Sequence, residues 1–252
     1  TDEIYRKGEK EKNSAQMLKA YMWRMKYQEI VTPDSFYVGL TGLEQWAKQT
    51  KQPMDRAILH SLIAGIYADY AANNQWELRR RTEIVEEAPS ADLREWTANI
   101  FVEKVRTNVK EALADSVLLL KTSSRDYIPF VELGKTSEYY HHDLYHLLAS
   151  RGIDALLQVE KLGGGYTETN AVNPVKQDII AIYGNMLSAY KAAGLKEGYV
   201  LTALNYLEWR RGAERYIRPL QAKGEASVLT DDTYLKALNT LKSKYASEPI
   251  CA

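Results

Sequence analysis

A chain of 252 residues, 45% apolar and 26% charged, can bury a large core as one long domain or two small ones. Its 33 Lys plus Arg balance 33 Asp plus Glu, which removes any broad electrostatic case for nucleic acid or an anionic membrane. The single cysteine, Cys251, excludes an internal disulfide and a cysteine zinc cage, and no apolar run approaches the roughly 20 residues that span a bilayer.

The opening residues, TDEIYRKGEKEKN, read as the tail of a helix under way, and SKYASEPICA at the far end stops abruptly. The expectation is a piece of a longer protein, with any export signal upstream. Between these ends the helical signals dominate. The pattern predicts helices near 13–29, 33–50, 53–73, 75–86, 91–114, 137–161, 174–193, 195–211 and 231–246. Met54, Ile58, Leu62, Ile66 and Tyr70 fall four apart, flanked by Leu59, Ile63 and Tyr67, a wide apolar stripe. Ile179, Ile182, Tyr183, Met186, Leu187 and Tyr190 form a second.

Start signals are Thr32-Pro33, Gln52-Pro53 and Asn173-Pro174, with Ser90, Ser137 and Thr230 as further caps. Stop signals are Gly152 or Gly163, Gly194, Gly212 and Gly224. The run Arg79-Arg80-Arg81, answered by Glu83, Glu86 and Glu87, reads as a solvated helix face. Val117 to Leu120 is the only short apolar run that could be a strand, and it sits in helical context. Residues 115–136 are less regular and separate two halves, 1–114 and 137–252; residues 163–173 form a loop.

This is the grammar of an all-α protein: an α-solenoid of antiparallel helix pairs, one helical-repeat region over 1–252. The tetratricopeptide pattern is not met cleanly, so the repeats are degenerate and tetratricopeptide-like.

The conspicuous chemistry is HHDLYHLL, residues 141–148, which holds His141, His142 and His146, three of four histidines. From His142 it spells H-D-x-x-H, close to the H-E-x-x-H of zinc proteases. On a helix His142 and His146 share a face, continued by Glu138. Glu138 and His146 would stand about 12 Å apart along the axis, so a third ligand must come from elsewhere. Asp143 is short for a general base, a third histidine is replaced by Gly152, and Glu160 lies too far along. His142 and His146 are therefore low-ranked metal candidates. With Tyr140, Leu144, Leu147 and Leu148 as the buried stripe, both histidines point away from the core.

His60, beside Arg56 on a polar helix edge, is given no role. Gly163-Gly164-Gly165 lacks a following GK[ST] and reads as a helix stop, and no G-x-S-x-G elbow exists. Eighteen tyrosines and five tryptophans against three phenylalanines are unusual. Trp23, Trp46, Trp76, Trp96 and Trp209 are expected mostly in the core, with one or two free to anchor a partner.

KNSAQMLKAYMWRMKYQE (12–29), DLYHLLASRGIDALL (143–157) and DDTYLKALNTLKSKYASEPICA (231–252) resemble the helical N-terminal region of bacterial alpha-2-macroglobulin-like proteins. The resemblance implies an exported protein, periplasmic or outer-membrane-associated, that traps or inhibits proteases at the cell envelope. Its Cys-Gly-Glu-Gln thioester has no counterpart here, so no functional residue carries over.

The expected function is a non-catalytic helical scaffold and interaction region, with no cofactor. Its expected partners are neighbouring domains of the same longer chain, and proteases or peptides. A tetratricopeptide-like peptide- or protein-binding module and a metal-binding protein centred on the HDxxH helix are the alternatives.

Overall fold

A computed structural model describes residues 1–32, 36–81, 90, 92–132, 134, 137, 141–162, 173–214 and 231–249. Among them the chain is all-helical, with no strand and a single antiparallel bridge, Ser123 to Asp143. No helix among the described residues is long and apolar enough to cross a membrane.

Eleven α-helices follow in chain order among the described residues. They are α1 (Asp2–Glu11), α2 (Ser14–Val31), α3 (Phe36–Gln49), α4 (Pro53–Asn73), α5 (Gln75–Arg80), α6 (Ala98–Ala112), α7 (Ser116–Lys121), α8 (Leu144–Glu160), α9 (Pro174–Ala193), α10 (Lys196–Glu214) and α11 (Asp231–Lys244). They form two compact units. The first comprises residues 1–135 and 142–169, the second residues 136–141 and 170–252. This division differs from halves at 1–114 and 137–252, because α8 belongs with the helices before it. The segment 115–136 carries α7 and a 3-10 turn over Ser124–Tyr127.

In the first unit α4 packs against α3, α6 and α8, and α8 packs in turn on α6 and α7. Both central helices are apolar around most of their circumference, the mark of a helix enclosed by neighbours. On α4, Ile58, Leu59, Ile63, Tyr67 and Ala68 are buried, while Ile66 and Tyr70 of the expected stripe are only half-buried. On α8, Leu144, Leu148, Leu156 and Val159 are buried, each contributing about 1.5–3 kcal/mol of transfer free energy. Gly152 does not stop α8. It lies within the helix against α6, where an added Cβ would come 2.9 Å from a Val109 methyl. The absence of a side chain there sets the α6–α8 approach.

In the second unit α10 packs on α9 and α11. Asn173 caps α9 by accepting the Val175 N–H at 2.9 Å, Pro174 occupies the first turn, and Gly194 ends the helix at φ 71°. Ile179, Ile182, Tyr183, Met186 and Tyr190 are buried, as the spacing predicts, while Leu187 of that stripe is only half-buried; Val175 is buried as well.

Several expected boundaries move. Gly212 sits inside α10 and does not end it. The helix expected over 91–114 shortens to α6, because Asp92 caps a separate 3-10 turn and Trp96 folds inward, its indole N–H donating to Ser90 O at 2.6 Å. Residues 117–120 belong to α7, capped by Asp115. The arginine run is not simply solvated: Arg79 donates to Lys161 O and Arg81 to Trp96 O, both at 2.7 Å. Cys251, Thr230, Gly163, Gly224, Tyr140, Glu138, and Glu83, Glu86 and Glu87 lie outside the described residues.

Candidate functional site

HHDLYHLL is not one helical face. The backbone from 142 to 144 is extended and pairs with 122–124: the Ser124 N–H donates to His142 O at 2.9 Å, and the Leu144 N–H to Thr122 O at 2.8 Å. Those groups are thereby removed from a helical ladder, and α8 begins only at Leu144. Asp143 is its N-cap, with Oδ1 accepting the His146 N–H at 2.7 Å. Asp143 is thus a capping carboxylate, a contribution of about 1 kcal/mol.

The three histidines consequently part company. His141 meets the Tyr190 ring edge-on at 5.6 Å within the second unit. His142 is exposed and precedes the helix. His146 is 0% exposed in the core of the first unit, not on a surface turned from it. His142 and His146 therefore do not share a helical face, and among the described residues no group of three His, Cys, Asp or Glu could hold a metal ion. Glu160 closes α8 at its far end. Tyr145 is also core: burial, and secondarily the Asp143 carboxylate, push its phenol up to about 12.

Two polar constellations in the first unit escaped the sequence reading. The first centres on Asp55, in the opening turn of α4 and 7% exposed. It accepts Ser14 Oγ–H at 2.6 Å and Tyr127 O–H at 3.2 Å, tying the start of α2 and the 124–127 turn to α4. Burial, followed by the Asp55 carboxylate, raises the Tyr127 phenol well above the usual range.

The second is a groove of about 570 Å³ lined by Glu44 and Lys48 of α3, His60 and Ile63 of α4, and Ile100 and Lys104 of α6. Asn108 stands at its edge and fixes His60. Its side-chain N–H donates to Lys104 O at 2.8 Å, so the oxygen is the atom that faces His60 Nδ1, also at 2.8 Å. Nδ1 must then be the donor, so in the neutral ring the lone pair lies on Nε2. Glu44 accepts the Tyr67 hydroxyl at 2.7 Å and lies 3.9 Å from Lys104 Nζ. Lys104 Nζ also lies over the Trp96 ring at 5.3 Å. Tyr67 is raised far above the ordinary phenol range, by burial first and by Glu44 second.

The tryptophans divide. Trp96 is buried and Trp46 and Trp209 are half-buried, while Trp23 is 42% and Trp76 74% exposed, two of the five outside the core. On α2, Trp23 stacks on Tyr27 at 5.7 Å.

No family model matches this chain, and no curated protein or solved structure matches it either.

Proposed function

We propose that this chain is a non-catalytic helical scaffold and interaction region of an exported alpha-2-macroglobulin-like protein, built as an α-solenoid of antiparallel helix pairs with degenerate tetratricopeptide-like repeats. One observation carries the reading: the HDxxH stretch serves folding. Asp143 caps α8, and His146 is enclosed in the core, so the residues that suggest zinc chemistry perform a structural task. The segments behind the resemblance have the same character. In 12–29 the buried residues include Leu18, Tyr21 and Met25 of α2; in 143–157 they are the core face of α8; in 231–252 Tyr234 of α11 is buried. A pattern made of packing residues suits a region that holds other domains in place.

The test is the reading frame on either side of the coding segment. An export signal before it and β-rich macroglobulin domains after it are the expected result. A stop soon after Ala252 with no export signal would remove the envelope assignment. Zinc-dependent peptidase activity in the purified chain, lost on His142→Ala with His146→Ala, would overturn the non-catalytic assignment.

A further inference from the structure

The α3–α4–α6 groove has a chemistry that the scaffold reading does not use. Its carboxylates are already engaged: Glu44 by the Tyr67 hydroxyl and Lys104, Glu103 by Arg106 at 2.6 Å. Lys48, exposed in the last turn of α3, has no carboxylate within ion-pair distance among the described residues. The groove therefore offers one uncommitted cation. It also offers one uncommitted acceptor, His60 Nε2, whose lone pair follows from the Asn108 relay. Ile100, half-buried, supplies apolar surface at the groove, while Ile63 behind it is buried in the core.

The rim of α6 adds a period. Asn99, Glu103 and Thr107 are exposed and four residues apart, so successive side chains recur about every 6 Å along the helix. In an extended chain, side chains on one face recur about every 6.6 Å. A strand-like peptide laid along α6 thus keeps step with this row over about three or four residues, and the volume of about 570 Å³ suits a ligand of that size.

We propose that this groove binds an extended peptide segment bearing an acidic side chain. Lys48 is the counter-charge, His60 Nε2 accepts a ligand amide N–H, and the half-buried Ile100 is the apolar contact. The proposal goes beyond the scaffold reading and does not depend on it: a scaffold with no ligand in this groove remains a scaffold.

The probes are N-acetyl-Ala-Asp-Leu-Ala-amide and its counterparts with Asn or Lys in place of Asp. Each is titrated into the ¹⁵N-labelled protein, with the His60 ring nitrogens and the Asn108 side-chain amide followed by NMR. The expected result is saturable shifts at both residues. Half-saturation for the Asp peptide should be about threefold to fivefold below that for the Asn peptide, the scale of one exposed ion pair, with the Lys peptide weakest. Lys48→Ala should bring the Asp peptide to the level of the Asn peptide while the circular dichroism is unchanged. Lys48→Gln provides the same reading should the alanine variant fold poorly. Linear shifts with all three peptides, saturation without charge preference, a preference that survives both Lys48 variants, or a proton on His60 Nε2 rather than Nδ1 would each overturn the proposal.

Discussion

HHDLYHLL and the groove around His60 are opposite cases of how a histidine is used. The first advertises itself by spacing, and its chemistry is absorbed by the fold: one histidine against Tyr190, one exposed, one in the core, and the intervening carboxylate on a helix N-terminus. The second has no motif at all. His60 is 48 residues from Asn108, and only the packing of α4 on α6 brings them to 2.8 Å. The difference teaches that a metal-ligand spacing is a statement about helical register. A cap displaced by a few residues dissolves it, whereas a polar site assembled from three helices leaves no local trace.

The contrast can be broken most forcefully at the two histidines. His146→Ala removes a fully buried ring and should lower the unfolding free energy by about 2–4 kcal/mol, measured by denaturant titration. A loss within experimental error would return His146 to the surface and revive the metal reading.

Next in size is an alkaline response. Tyr145, pushed up to about 12 from 10.0, holds its proton more tightly folded than unfolded. Its contribution is present in full below pH 10 and is lost as pH rises from 10 through about 12. Tyr145→Phe should flatten the stability profile across that window, read from unfolding midpoints; an unchanged profile would show that Tyr145 ionises as if exposed.

Asp143→Ala should cost about 1–2 kcal/mol and Asp143→Asn much less, since an amide oxygen also caps. Equal losses for the two would point to charge rather than capping. The smallest effect belongs to the groove. His60→Ala forfeits a half-buried hydrogen bond to Asn108 and should cost about 0.5–1.5 kcal/mol. A loss as large as that of His146→Ala would make the two histidines alike and end the contrast.

The all-helical class was legible because long apolar periodicity survives whatever the tertiary context does. Residues 53–73 and 174–193 coincide with α4 and α9, where a proline in the first turn and, for α9, Asn173 and Gly194 mark the ends. The reading failed where tertiary partners compete for backbone groups. Ser137 looked like a cap, but pairing of 142–144 with 122–124 holds α8 back to Leu144. Gly152 looked like a stop, but a small residue against Val109 is what close helix packing requires. Which of the five tryptophans stay outside was not legible, because bulk alone does not say which way a helix turns: Trp23 and Trp76 are the exposed ones. Asp55 and the Glu44–Lys104 pair were invisible for a different reason: their partners stand 41, 72 and 60 residues away, beyond any local pattern.

That separation gives the Asp55 carboxylate a role in time as well as in space. Its two hydroxyl bonds close loops of 41 and 72 residues, and the chain entropy of such closures must be met before the bonds can form. The expectation is that such bonds form on the late side of the folding barrier, which an unfolding-rate measurement on Asp55→Asn would check. Formed there, they would slow escape from the native state more than they hasten arrival. Asp55 is therefore placed to govern how long the first unit stays folded.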